Sequence, residues 1–578
     1  MGVGVHSAQP FPEGQMTPTS LELGGEPVPA EPLNHPARRS KVRSQETSEL
    51  NLPLTQESEE CLCSILFDPY EAWTEAAGAH APGFFVDLNL DQVVDSITAG
   101  REEYNLKPYY HLPLKHSETV RYRQTVFRDL ENPELLQLVR SFAESMRLMR
   151  ALLALSEKRY YKFQKQASFL DAVETYCNAA ATLSRGLAVA GLNSQGFQTL
   201  RDFLIRYSGS DDFTALAGET ETIRTDLKKI KYSLHIQSAR VTVDRNDLEG
   251  DYSQEVLQTF EKFRQTDPRS HRFKAPASSE MNHIEAQILD LVAKLYPEVF
   301  AHVAEYCSRF RSYCHEVIAR FDREVQFYLA YLEQMEQVRK AGLSFCYPEV
   351  TSLSKEVQAV NTYDLALANQ LIRAHKDVIT NSFYLKEPER IIVVSGPNQG
   401  GKTTFARTFG QLHYLGALGC PVPGVSAKLF LFDSIFTHFE KEEDLQNLRG
   451  KLEDELVRIH EILEKATANS ILVMNESFLS TTLNDALFLS REVMERITAL
   501  NMLCVTVTFL DELASFNETT VSMISTVNPD DPQQRTFKVI RKPADGLAYA
   551  AAIAEKYHLT HDAVKARVGA RQSEVSQL

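Results

Sequence analysis

The sequence predicts a multidomain protein: a mostly α-helical lever or core domain carrying a small β clamp-like insertion, followed by an α/β domain. Three observations carry this reading. Apolar residues recur at steps of three and four within residues 116–208 and 280–340. The period changes to two over residues 229–243. Further on, the apolar run Ile391-Ile392-Val393-Val394 has the composition of a parallel strand buried on both faces.

Bulk properties set the frame. A chain of 578 residues with a hydrophobic share of 43% and a charged share of 24% can bury a sizeable core and has room for several domains. The formal charge of -16 argues against a protein that coats nucleic acid non-specifically, although local basic surface decides phosphate contact. The eight cysteines are scattered without a CxxC pair, which points to reduced thiols rather than a disulfide scaffold. No apolar stretch approaches a membrane span, and no basic start leads into an apolar run, so the chain reads as cytoplasmic, including association with the nucleoid.

Residues 1–55, rich in Pro, Gly, Ser, Thr and Glu, read as a disordered tail. Folded material is expected from Gly83 onward, with a first helix over Asp91–Ile97. Asn132-Pro133-Glu134 is a helix start, with a capping side chain ahead of a proline in the first turn. Leu135, Leu136, Leu138, Val139, Phe142, Met146 and Met149 then recur at helical spacing and read as core. In the period-two region, Ile230, Tyr232, Leu234 and Ile236, then Val241 and Val243, predict a strand pair. Around it lie Arg224, Lys228, Lys229, Lys231, Arg240 and Arg245, followed by Arg264, Arg269, Arg272 and Lys274. One account of these cations is a solvated surface; the other is a phosphate-contacting patch, with Lys228, Lys229, Lys231, Arg240, Arg272 and Lys274 as DNA-binding candidates. Residues 280–340 hold one proline, Pro297, and no glycine, which predicts one long helix or two broken near Pro297. Such a helix serves either as a rigid arm or as ordinary bundle packing.

Chemistry concentrates in the C-terminal third. The strand Ile391–Val394 runs into Gly396-Pro397-Asn398-Gln399-Gly400-Gly401-Lys402-Thr403, and a helix is expected over Thr404–Leu415. Strand, glycine-rich loop and helix together form the context of a phosphate-binding P-loop. The glycines let backbone N–H groups close on phosphates at the positive end of the helix. In an ATP site, Lys402 would reach the β- and γ-phosphates and the Thr403 hydroxyl would bind Mg²⁺, with Thr404 alongside. Ile471–Met474 followed by Asn475-Glu476 has the form of the second half of such a site. Glu476 would activate the attacking water, and Asn475 stands where an Asp normally helps to hold Mg²⁺. Catalytic roles thus fall on Lys402 and Glu476, and metal contacts on Thr403, Asn475 and Glu476.

The residues at this point resemble the MutS-type DNA mismatch repair ATPases, over roughly residues 85–568. GPNQGGKTT looks like the family's GPNMGGKST. Gly419–Leu445 keeps Val422, Pro423, Ala427, Asp433, Ile435, Phe436, Thr437, Asp444 and Leu445 of a family segment, and Asn381 and Leu385 match an Asn…Leu pattern before the nucleotide pocket. Phe127–Leu136 looks like the start of the helical core, Phe345–Val350 like its end, and Gly546–Ala550 like the ATPase tail motif. Departures are equally specific. The Ser-Thr signature that completes ATP across a dimer falls on Gly450 and Lys451, with Glu455 retained, and the switch His falls on Phe509. The mismatch-reading Phe-x-Glu has its only early match at Phe11-Pro12-Glu13, inside the tail, so the resemblance is to a short, divergent member without the mismatch-reading domain.

What the resemblance implies is a helical core domain over 83–350, with the clamp-like insertion near 225–275, then an ABC-type P-loop ATPase domain over 355–568 and a tail over 569–578. It also implies ATP and Mg²⁺ as cofactors, a homodimer, and duplex, mismatched or branched DNA as partner. The function expected is an ATP-dependent DNA clamp with slow hydrolysis. The alternative is a nucleotide-gated dimeric scaffold that does not touch DNA. A transporter- or SMC-like ATPase is disfavoured by the absence of an LSGGQ-type signature.

Overall fold

The computed structural model describes residues 64–67, 80–237, 240–246, 281–440, 450–528, 534–544, 561 and 564–565. The two expected tails, Arg264, Arg269, Arg272, Lys274, Asp444, Leu445 and Gly546–Ala550 lie outside them.

Helices dominate the first half. Short α1 (Phe84–Asp87), α2 (Leu90–Thr98) and α3 (Lys107–His111) lead into α4 (Ser117–Asp129) and α5 (Pro133–Lys158). The start of α5 is the one its sequence announces: Asn132 Oδ1 accepts from the Glu134 and Leu135 N–H groups and Pro133 occupies the first turn. Leu135, Val139, Phe142, Met146 and Met149 are all buried along it. It runs against α6 (Lys162–Val189), followed by α7 (Gln195–Ser208) and α8 (Asp211–Lys229).

The predicted strand pair is the antiparallel hairpin of β1 (Tyr232–Gln237) and β2 (Arg240–Arg245), which pairs with no other strand among the described residues. Beyond it come α9 (His283–Leu295), with an Asn282/Glu285 capping box, α10 (Pro297–Arg309) and α11 (Glu316–Lys340). The break at Pro297 is as expected. A second break, at Phe310–His315, corrects the continuous run read from Ala304 to Leu329. The apolar period persists through it because Phe310 and Cys314 still pack on the core, while the turn is fixed by contacts that periodicity cannot show. There the His315 N–H donates to Tyr176 Oη at 3.0 Å, and His315 Nδ1 caps the Val317 N–H.

The second half is built on sheets. Strands β3 (Phe345–Cys346), β4 (Glu349–Thr351) and β5 (Val357–Thr362) precede α12 (Leu365–Arg373) and β6 (Asn381–Leu385). Then follow β7 (Ile391–Ser395), α13 (Lys402–Ala417), β8 (Val422–Pro423), β9 (Ser426–Phe430) and β10 (Ile435–Phe439). The remainder comprises α14 (Lys451–Lys465), β11 (Ile471–Asn475), α15 (Leu483–Leu500), β12 (Leu503–Val507), β13 (Thr520–Val527) and β14 (Arg535–Arg541). The principal sheet has the order β10-β11-β12-β7-β13-β14, parallel except at β14. β7 lies inside it with every residue buried, which is why its sequence is apolar without alternation. A smaller mixed sheet, β4-β9-β5-β6, was not foreseen.

One further segment belongs to the fold ahead of Gly83. Ile65, Leu66 and Phe67 are buried, in the same apolar core as α4 and α11.

Candidate functional site

The C-terminal ends of parallel strands are where a doubly wound sheet presents its loops, and the candidate residues collect there. β7 delivers the loop 396–401, which turns directly into α13. Gly396 (φ 114°) and Gly401 (φ 92°) adopt the left-handed region that a side chain resists. Gly400 answers to a neighbour instead. A Cβ there would fall 2.0 Å from Ser525 Oγ, the hydroxyl that donates to the Gly400 carbonyl at 2.7 Å. Pro397 is buried, whereas Asn398 and Gln399 are exposed at the tip, and Arg535 Nε donates to the Asn398 carbonyl.

Lys402, the first residue of α13, is only 4% exposed. Its ammonium donates to the loop's own carbonyls, Gly396 O at 2.9 Å and Pro397 O at 3.3 Å, and lies 4.2 Å from the centroid of the Phe509 ring. Burial lowers its pKa, and the Glu476 carboxylate pulls the other way. Thr403 Oγ1 donates to Asn475 Oδ1 at 2.8 Å, so the start of α13 and the end of β11 meet. Thr404 is half-buried one residue on.

Glu476 follows Asn475 with φ 54°, an uncommon backbone state for a residue with a side chain, and its N–H is tied to the Val507 carbonyl of β12. Burial raises its pKa, Lys402 opposes the shift and Glu440 adds to it. Lys402, Thr403, Asn475 and Glu476 thus form one constellation around the start of α13.

Other expected positions are placed differently. Asn381 uses both ends of its amide to hold β14, donating to Phe537 O and accepting from the Val539 N–H at 2.8 Å. That brings Phe537, 48% exposed and at φ 57°, against Gly401. Glu455 is buried and accepts from the Phe478 N–H, and Lys451 pairs with Glu440. Gly450 is exposed ahead of α14. Among the described residues no group of three or more His, Cys, Asp or Glu is arranged for a metal.

Sequence reasoning missed Ser525, Phe537 and the Lys402–Phe509 contact. Ser525 and Phe537 lie in β13 and β14 and Phe509 just past the end of β12, all more than a hundred residues downstream of the loop, and no local pattern signals them.

Of the basic candidates, Lys228 and Lys229 end α8, Lys231 precedes β1 and Arg240 begins β2; all four are exposed. Lys229 is paired with Asp226, and Arg224 is drawn into ion pairs with Asp171 and Glu174. Arg245 donates to the Leu295 carbonyl and stacks on Tyr296. No helix among the described residues is long and apolar enough to cross a membrane.

The family model described as MutS domain V matches residues 392–569. The chain is also similar to proteins named DNA mismatch repair protein MutS. It is 24% identical over 206 residues to the one from Petrotoga mobilis, covering 35% of this chain and 23% of that protein. To the Thermotoga neapolitana protein it is 24% identical over 281 residues, 47% and 32% of the respective lengths. To the Orientia tsutsugamushi protein it is 28% identical over 147 residues, 25% and 16%. The chain therefore spans a third or less of the length of each of these relatives.

Proposed function

This chain is a member of the MutS family, and from that premise we propose that it is an ATP-dependent DNA-binding protein: a dimeric clamp on distorted, branched or mismatched DNA that acts in repair or recombination. The observation that carries the reading is the joining of Lys402 and Thr403, at the start of α13, to Asn475 and Glu476 at the end of β11.

In this reading residues 396–401 cradle the phosphates of ATP at the positive end of α13. Lys402 exchanges its loop carbonyls for the β- and γ-phosphates. A bound Mg²⁺ would neutralise phosphate charge during transfer. The donor set suits it: Thr403 offers a hydroxyl, Asn475 an amide oxygen and Glu476 a carboxylate, all hard oxygen donors. Asn475 brings no charge, so the metal should be held more weakly than beside an Asp. Glu476 orients and deprotonates the attacking water, and burial suits it to that task by lifting its pKa. The Phe509 ring covers the Lys402 ammonium without offering a proton donor or acceptor. Slow turnover follows from both departures. The helical part supplies the core or lever domain and the ABC-type ATPase domain closes the dimer, with Lys228, Lys229, Lys231 and Arg240 around the hairpin contacting phosphates, joined by Arg272 and Lys274.

The test is a titration with labelled homoduplex, mismatched duplex and four-way junction at low and moderate salt, with and without ATP·Mg²⁺. ATP-dependent, salt-sensitive preference for one structure is expected. Lys402→Ala should abolish nucleotide binding, and a variant that binds ATP as tightly as the parent would refute the site. A second reading, a nucleotide-gated scaffold, draws support from the net charge of -16 and from the pairing of Arg224 and Lys229 with carboxylates. ATP binding with no shift of any DNA would select it.

A further inference from the structure

Ser64–Phe67 sits in the molecule as a peptide sits in a receptor. It belongs to no helix or strand. Three consecutive carbonyls are each read by a side chain from a helix. Tyr122 Oη of α4 donates to Ser64 O at 2.5 Å, Tyr328 Oη of α11 to Ile65 O at 2.5 Å, and Arg123 Nε of α4 to Leu66 O at 2.7 Å. On the donor side, Glu324 Oε2 of α11 accepts from the Ser64 hydroxyl and the Ile65 N–H, both at 2.9 Å. The same hydroxyl accepts from the Leu66 and Phe67 N–H groups, fixing the segment as a turn. Gly196 at the start of α7 completes the slot, since a Cβ there would fall 3.2 Å from Ile65 Cα and 2.9 Å from Tyr122 Oη. Phe67 packs edge-on against Tyr109.

Arg123 carries the connection outward. It is 1% exposed, lies over the Phe67 ring, and its Nη1 donates to the Leu418 carbonyl at 3.1 Å. Leu418 is the C-cap of α13, the helix whose other end begins at Lys402. Gly419 follows with φ 75°, and a Cβ there would lie 2.7 Å from Arg123 Cβ. One guanidinium therefore holds the peptide-like segment with one edge and the far end of the loop helix with the other.

We propose that the slot between α4, α7 and α11 is a peptide-binding site, that Ser64–Phe67 is its built-in ligand, and that its occupancy sets the position of the C-terminal end of α13. The link to nucleotide affinity rests on the ATP reading above; the peptide site itself does not.

The test uses the full chain carrying Leu66→Asp, which places a charge in the buried slot. Amide exchange of Leu418, Gly419 and Cys420, measured without nucleotide, should rise about tenfold, as for loss of one charge-assisted hydrogen bond. A synthetic peptide of residues 61–70 with serines for its cysteines should restore protection saturably, and one carrying the Asp should not. Unchanged exchange at these amides, or no rescue by the parent peptide, overturns the proposal. Should Leu66→Asp fail to fold, Arg123→Lys keeps the charge but loses the two-sided reach, and must raise exchange at the same three amides. ATP affinity is then compared between parent and Leu66→Asp, with a several-fold weakening expected and an equal affinity overturning the coupling. A parent that binds no ATP sinks the nucleotide reading alone.

Discussion

Gly400→Ala tests whether the loop is held by its neighbours or merely tolerates them. The added methyl would fall 2.0 Å from Ser525 Oγ and 3.2 Å from Ser525 Cβ, with Pro397 O at 3.0 Å. Ser525 is fully buried, so its hydroxyl has nowhere solvated to turn. Losing its bond to Gly400 O leaves a buried polar group unmet, at about 1–3 kcal/mol. Overpacking adds about 1–3 kcal/mol. A loss of about 2–6 kcal/mol is expected, read from urea unfolding followed by circular dichroism, together with weakened nucleotide binding. Ser525→Gly removes the clash, so the double variant should be more stable than the summed single losses by at least about 1 kcal/mol. A Gly400→Ala protein within about 0.5 kcal/mol of the parent, a typical surface-substitution effect, would mean that Ser525 does not constrain the loop.

Burial pushes the Glu324 carboxyl up from 4.5 to about 7, against the opposing hydrogen bonds from Ser64 and Ile65 and the charge of Arg320. A carboxyl with a higher pKa in the folded chain stabilises the fold below about 4.5, and that contribution is lost as pH rises through about 7. The urea midpoint of the parent should therefore fall, relative to that of Glu324→Gln, as pH rises from about 4.5 to about 7, a comparison that cancels the raised Asp322 and lowered His413 contributions common to both proteins. Asn475→Asp restores a charged partner beside Thr403 and should lower the Mg²⁺ concentration for half-maximal nucleotide binding by roughly tenfold, measured by titration. Asn132→Ala removes the α5 cap and should cost about 1 kcal/mol in urea unfolding. Replacing Lys228, Lys229, Lys231 and Arg240 by Ala should reduce the slope of log affinity against log salt by about 0.9 for each phosphate no longer neutralised, and an unchanged slope would exclude the hairpin from any role in holding DNA.

Legibility followed locality. The start of α5 was readable because a cap, a proline and an apolar stripe lie within one short stretch, and β7 and β11 because strands buried on both faces need no partner to betray them. The loop 396–403 was readable because its glycines, lysine and threonine are consecutive. The Ser64–Phe67 segment was not, since four residues carry no period and their meaning lies in Tyr122, Arg123, Glu324 and Tyr328, side chains of other helices. The break at Phe310–His315 was hidden for the same reason, because its anchor is Tyr176. Asn381 illustrates the limit from the other side: its position near the loop was legible, but the commitment of its amide to β14 was not.

The placement of β7 also dictates an order of events during synthesis. Its neighbours on either side are β12 and β13, both emerging more than a hundred residues later. At roughly 5–20 residues per second, a ribosome leaves this strand without either partner for several seconds or more. Ile391–Val394 is apolar without interruption, the kind of segment that recruits strands from other chains when left unpaired. The helical half, finished first and rich in local contacts, can fold while the sheet waits. Yield of active protein should therefore depend more on translation speed between β7 and β12, and on holdase chaperones, than on the final stability of the sheet.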